Sequence, residues 1–241
     1  MPIDRDQGER EKARARILRD NDRRRAEALD GRYAPSNAAE LFMTGGRRRL
    51  AAEMLAGLGV FPREGQKVLE IGCGEGGLLP DLLGWRLAAG DLYGVDLDEA
   101  RLGVARRRLP GCFFTQADAS ALPFGDAAFD LVIASTVFSS ILEKSLQQAV
   151  AAEIARVLRP GGAYLHYDLA VDSPRNPNVR GVPARRLREL FPSLEGKVRR
   201  ATLAPPLCRA LLPRFPTVAA LLEALPFLHS HLLAVLKKPA V

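Results

Sequence analysis

Four glycines, Gly72, Gly74, Gly76 and Gly77, follow the apolar run Val68-Leu69-Glu70-Ile71 and carry the densest chemical signal in the chain. Without a Cβ, glycine allows a tight turn and lets a ligand approach the backbone. Gly72, Gly74 and Gly77 satisfy the GxGxxG spacing of dinucleotide sites, and Gly72, Gly74 and Gly76 equally satisfy GxGxG. Glu70 favours the second reading: an anion aimed at a pyrophosphate is repelled, whereas one beside a cationic amino-acid moiety is useful. Asp96 closes the next apolar run, LYGVD, where a carboxylate can accept from both ribose hydroxyls. Asp118, in QADASALPF, closes the third, where it can accept the amine of an adenine ring.

The elements that must hold these residues alternate. From residue 67 the sequence reads as strand KVLEIG, helix LLPDLLGWRL, strand DLYGVDLD, helix EARLGVARRRL and strand CFFTQAD. After the turn LPFGDAA come strand FDLVIAST, helix SLQQAVAAEIARVL, the tight turn RPGG and strand AYLHYDL. Continuous apolar strands alternating with helices predict an α/β protein, a doubly wound sheet with helices on both faces. Further on, ARRLRELF reads as a helix, KVRRATL as a strand, residues about 203–226 as a Pro-interrupted helical insertion, and HSHLLAVLKK as a closing strand, the seventh. Upstream, residues 9–30 read as an exposed helix with a sparse apolar stripe. Residues 31–43 read as a turn and a new start capped by Ser36 or Asn37, and Arg47–Leu58 as a second helix ended by Gly59. The expected organisation is an N-terminal helical extension over 1–60 and one α/β domain over 61–241.

The ordered signatures ExGxGxG, GVD, D-A-x-x-LPF, FDLV and LRPGG, within residues 67–168, resemble those of the class I S-adenosylmethionine-dependent methyltransferases. That resemblance implies a Rossmann-like seven-stranded fold and S-adenosyl-L-methionine as cofactor. It implies that Glu70, Gly72, Cys73, Gly74 and Gly76 line the methionine and ribose side, with Ser135 at the end of the fourth strand. It also implies that Asp96 holds the ribose hydroxyls, Leu97 packs on adenine, Asp118 takes the adenine amine and the Ala119 N–H meets a ring nitrogen.

Methyl transfer from a sulfonium is an in-line displacement, so positioning is the main task, and a neutral acceptor usually needs a base as well. Many members of the family carry a Glu-His pair after the fourth strand; here Ser135-Thr136-Val137-Phe138 runs on into Ser139 and Ser140. His166 and Asp168 share one face of the fifth strand and are the candidate bases, with a core histidine and a loop-capping aspartate as the plain alternative. His229 and His231 sit in the last strand, distant in topology from the cofactor edge, and read as structural. No spacing of histidines and carboxylates suggests a metal. The loop DSPRNPNVRGVP puts Arg175, Asn178 and Arg180 after the fifth strand, where arginines could bind an anionic acceptor. A carboxylate acceptor would need no base. Tyr33, Phe42 and Phe138 are the apolar substrate candidates, and the N-terminal helices with the insertion would form a lid.

The bulk numbers limit the field. The 241 residues suit one large core, and three scattered cysteines suggest neither a disulfide framework nor structural zinc. The charged N-terminus and the lack of a long apolar run fit a cytoplasmic protein without membrane spans. Net charge is +7, unevenly spread: residues 1–50 carry 13 Lys/Arg against 9 Asp/Glu, residues 51–168 carry 10 against 15, and residues 169–241 carry 12 against 4. Basic ends admit nucleic acid or an anionic substrate as partner, besides solvated helix faces. The expected activity is O-methylation of a small-molecule, glycan or peptide acceptor. The alternatives are a carboxylate methyltransferase, an RNA methyltransferase and a cofactor-binding regulator without turnover.

Overall fold

The computed structural model of the chain describes residues 3–29, 37–173 and 176–240, with only the backbone described for 3–7 and 24–29. Among these residues, seven strands form one sheet in the order β3-β2-β1-β4-β5-β7-β6. They are β1 (Val68–Ile71), β2 (Leu92–Asp96), β3 (Phe113–Gln116), β4 (Phe129–Ser135), β5 (Leu158–Leu169), β6 (Glu195–Leu203) and β7 (His229–Lys237). The first five are parallel, and β7 runs antiparallel between β5 and β6. Strand order reverses between β1 and β4, and ligands of open α/β sheets bind outside the carboxyl ends of the strands at such a reversal.

Both faces are covered, which explains the uninterrupted apolar strands. Leu69, Ile71, Val132 and Ala134 face α5 (Lys144–Val157) and α6 (Ala184–Leu190), and Val150, Ile154 and Leu187 seal that layer. Val68, Leu131, Ile133 and Leu165 face the other way, against Met54 and Leu55 of α2 (Ala38–Gly57) and Leu79 and Leu82 of α3 (Leu79–Gly84). α4 (Glu99–Arg108) buries Leu102 and Ala105 and is capped by the Asp98 carboxylate, which accepts from the Arg101 N–H.

The long α1 (Ile3–Leu29) is more firmly docked than its sparse apolar stripe suggests. Ala13 is buried in the main core, Arg14 pairs with Asp118 at 3.3 Å, and Arg16 pairs with Glu143 at 3.1 Å while donating to the Ser140 carbonyl. The sequence suggested a break before Arg47, but α2 is one helix that passes through Gly45 and Gly46. Asn37 caps it by accepting from Ala39 N–H, and the proposed Ser36 cap lies outside the described residues. Packing of α2 on β6 and β7 holds the glycines in helical form, overriding their weak propensity. RPGG is the bulged start of β5, with Gly161 at φ +74°, instead of a separate turn. The insertion between β6 and β7 forms α7 (Pro205–Leu211) and α8 (Pro216–Glu223) around a small cluster of Leu203, Cys208 and Ala219.

Candidate functional site

A cleft of about 1000 Å³ opens at the carboxyl ends of β1, β2, β4 and β5. Its first wall is the glycine turn. Gly72 has φ +66°, and a Cβ there would come within 2.7 Å of a Val137 methyl, so the cradle accepts no side chain. Asp96 is 6% exposed; its carboxylate accepts from Gly74 N–H at 2.8 Å and Asp98 N–H at 2.9 Å, and its free lone pairs face the cleft. The Arg101 guanidinium lies 3.8 Å from it. Asp118 accepts from both the N–H and the hydroxyl of Ser120 at 2.8 Å and meets Arg14 with its other oxygen.

Of the residues matched to cofactor roles, Gly72, Asp96, Leu97, Asp118, Ala119 and Ser135 line this cleft. Glu70, Cys73, Gly74 and Gly76 do not, and for Glu70 that is a correction. Its carboxylate is turned beneath the turn, where both oxygens lie 2.9 Å from Leu78 N–H and where any side chain on Gly77 would collide with it. Burial pushes its pKa up to about 8 against the pull of that N–H and of Arg47. Glu70 therefore shapes the loop from within instead of facing a ligand. Cys73 is packed under Gly94, its thiol raised by burial.

The candidate bases are also misplaced. His166 is fully buried, its Nδ1 3.0 Å from the Tyr164 hydroxyl, and desolvation depresses its pKa to about 3. Asp168 is equally buried; burial raises it to about 6, opposed by hydrogen bonds such as that from Ser139 N–H at 3.0 Å. It fixes the turn after β4. Neither lines the cleft: His166 packs against the rings of Phe138 and Tyr164 on the α5–α6 side of the sheet, and Asp168 is taken up by the turn after β4. Of the substrate candidates, Phe138 is core, Phe42 packs on the α7–α8 cluster, and Arg180 and Asn178 stand off the cleft, Asn178 donating to Asp20 of α1. Tyr33 and Arg175 lie outside the described residues.

The second wall uses residues that were not anticipated. Tyr167, out of phase with His166 and Asp168, faces the cleft and stacks on His231 with ring centroids 4.8 Å apart and planes 3° from parallel. The Arg47 guanidinium sits 5.1 Å above the Tyr167 ring, and the Tyr167 hydroxyl is 2.8 Å from that of Thr202. Burial, with Arg47 adding to it, lowers His231 to about 4; burial raises Tyr167 to about 12. Both are neutral at pH 7. His231 was judged distant, yet the antiparallel β7 sets it opposite Leu169 at the end of β5. His229 is structural, its Nε2 2.9 Å from the Glu223 carbonyl. Among the described residues no cluster of His, Cys, Asp or Glu could hold a metal ion.

A seven-stranded sheet of this order, with a glycine turn and two acids at its strand ends, defines a class I methyltransferase architecture. Residues 68–162 match the family model described as "Methyltransferase domain", so this central part of the chain carries the methyltransferase domain that its fold and glycine turn point to. It is 35% identical over 132 residues to the O-methyltransferase cnsE of Penicillium expansum, covering 52% of this chain and 45% of that one. It is 41% identical over 107 residues to a fatty-acid O-methyltransferase of Mycolicibacterium smegmatis, covering 44% and 38%. A malonyl acyl-carrier-protein O-methyltransferase of Enterobacter lignolyticus is 37% identical over 127 residues, covering 53% and 47%. The match thus spans less than half the length of each of these relatives. Among solved structures, the fold is shared with the cyclase SpnF (TM-score 0.57, 21% identity, 81% of each chain). It is shared also with the geranyl diphosphate C-methyltransferase of Streptomyces coelicolor A3(2) (TM-score 0.58, 16% identity, 80% and 78%).

Proposed function

We propose that the chain transfers a methyl group from S-adenosylmethionine to a carboxylate oxygen of a small acid with an apolar body. The observation that carries this is Arg47. Its guanidinium faces the cleft, its Nε is buried without a hydrogen-bond partner, and among the described residues no carboxylate pairs with it. Arg47 is half-buried, and leaving its buried Nε unpartnered has a cost that an acceptor carboxylate would relieve. The name of the fatty-acid O-methyltransferase points the same way.

The first wall fits the cofactor: the Gly72 cradle leaves room for it, Asp96 offers lone pairs to ribose hydroxyls, and Asp118 and the Ala119 N–H suit adenine. S-adenosylmethionine, when bound, supplies an electrophilic methyl on a sulfonium. Arg47 would hold the acceptor carboxylate and orient its oxygen towards the bound cofactor; a carboxylate carries no proton to remove, so the site would need no base. α1 and the α7–α8 insertion act as the lid, with the Arg14–Asp118 and Arg16–Glu143 pairs as clasps.

Neutral His231 supports a second reading, a hydroxyl acceptor with His231 as its base. A panel of matched fatty acids and fatty alcohols, followed by S-adenosylhomocysteine release, separates the two. Methyl esters from the acids are expected; turnover confined to the alcohols defeats the carboxylate reading. In His231→Gln, a kcat loss on the order of 10²–10⁴ would assign the base, whereas the carboxylate reading places the loss in KM.

A further inference from the structure

We propose that the α7–α8 segment is a docking surface for an anionic lipid bilayer, which it meets with the bare outer face of the insertion. Between Pro213 and Phe227 the chain presents Phe215 at 56%, Leu221 at 68% and Phe227 at 75% exposure, together with Val218 and Leu225. These are five of the nine exposed large apolar side chains among the described residues, gathered in one short stretch. Isolated surface apolar residues need no explanation, but a concentration like this marks an interaction site.

Three features select lipid. The first is charge. Glu223 is the sole acid from residue 196 to the end, and it is turned inward, where it accepts from Leu203 N–H at 3.0 Å. Arg214 is exposed beside Phe215, and exposed Arg200 of the neighbouring β6 reaches the His229 carbonyl, just after the insertion, at 3.0 Å. The face is thus cationic and apolar, the combination that binds anionic headgroups and inserts below them. The second is the poverty of hydrogen-bonding groups. Among the exposed side chains of 213–227 only Arg214 and Thr217 are polar, whereas a protein interface needs about one hydrogen bond per 100–200 Å². The third is the prolines that hold the short helices at the surface, Pro205, Pro206 and Pro216 at the starts of α7 and α8. No described helix is long and apolar enough to cross a membrane, so the contact proposed is interfacial. The buried side of the same segment is secured by Leu203, Cys208 and Ala219, which leaves the outer face free to serve a ligand.

Position gives the surface its use. Pro205, Pro206 and Arg209 line the cleft, so the segment that would touch the bilayer is also a wall of the site. An acceptor dissolved in the membrane could pass into the cleft along α7. This last use rests on the apolar acceptor proposed above; the docking itself does not, since vesicle binding needs no turnover.

The test is co-sedimentation of the full chain with sucrose-loaded vesicles of phosphatidylcholine alone and of phosphatidylcholine with phosphatidylglycerol. Binding to the anionic vesicles is expected, at least about tenfold weaker in a Phe215→Ser, Leu221→Ser, Phe227→Ser triple variant and weaker in Arg214→Glu. The substituted side chains are exposed, so the thermal midpoint and the heat of S-adenosylmethionine binding should match the parent and certify folding. Failure of the parent to bind, equal binding to neutral vesicles, or undiminished binding by the triple variant each overturns the proposal. So does a dimer in sedimentation that the triple variant abolishes without any vesicle binding, which would give the face to a second copy of the chain.

Discussion

The two walls of the cleft are built on different principles. On the β1–β3 side, the polar side chains are satisfied locally: Glu70 by Leu78, Asp96 by Gly74 and Asp98, Asp118 by Ser120. On the β5–β7 side, Arg47, Tyr167, Thr202 and His231 arrive from four elements and meet only through the antiparallel pairing of β7 with its neighbours. Backbone strain falls on this second side too. Thr136 and Thr202 hold φ of +56° and +65°, unfavourable for β-branched residues. Thr136 donates its N–H to the Tyr167 carbonyl at 2.7 Å, and Thr202 meets the Tyr167 hydroxyl, so Tyr167 sits between both strained positions. The contrast suggests a fixed wall for a common cofactor and an assembled wall for a particular acceptor.

The sharpest way to break this contrast is Asp96→Ala. It removes the acceptor proposed for ribose hydroxyls and unhooks Gly74 N–H, and charged hydrogen bonds are worth about 1.5–3 kcal/mol each. Calorimetry should show S-adenosylmethionine affinity falling about 100-fold or more; unchanged affinity would detach the cofactor from this wall. Arg47→Ala probes the other wall. KM for an acid acceptor should rise by roughly 10- to 100-fold while cofactor affinity stays near that of the parent, and loss of both would mean the walls are not separate.

Glu70→Gln tests how the first wall is held. The folded pKa of Glu70, about 8, lies above its ordinary 4.5, so between those values the folded chain keeps a proton that the unfolded chain releases. Stability should therefore decline as pH rises from 4.5 to 8. Glutamine cannot titrate, and urea midpoints of the variant should decline less steeply over that window; parallel curves would mean Glu70 is ionised in the fold. The smallest effect is expected from Tyr167→Phe, which loses one hydrogen bond to Thr202. That is worth about 1 kcal/mol, a drop of roughly 2–4 °C in Tm. A much larger drop would show that the strained threonines depend on that hydroxyl.

Legibility in the sequence followed the same division. The central strands β1, β2, β4 and β5 could be read because buried parallel strands write continuous apolar runs, and glycine marks turns between elements. The places of Asp96 and Asp118 could be read, Asp96 because it closes the apolar β2 and Asp118 because it follows two residues after β3. Glu70 was placed in the right turn but on the wrong side of it, since spacing says where a side chain is along the chain and not which way a tight turn throws it. At the end of β5, alternation correctly paired His166 with Asp168, but it cannot say which of the two buried faces opens to the cleft where the strand ends. Tyr167, the residue between them, took the cleft.

By itself the sequence determined the α/β alternation, the glycine cradle and the acids at its strand ends, because each of these is written in residues within one or two elements of each other. Only the tertiary structure decided the second wall, the one proposed for the acceptor. Arg47 and His231 are separated by most of the chain, and what brings them to one tyrosine ring is the antiparallel insertion of β7 between β5 and β6 with α2 packed across it. Burial then set their chemistry, leaving the histidine neutral and the arginine's Nε without a hydrogen-bond partner among the described residues.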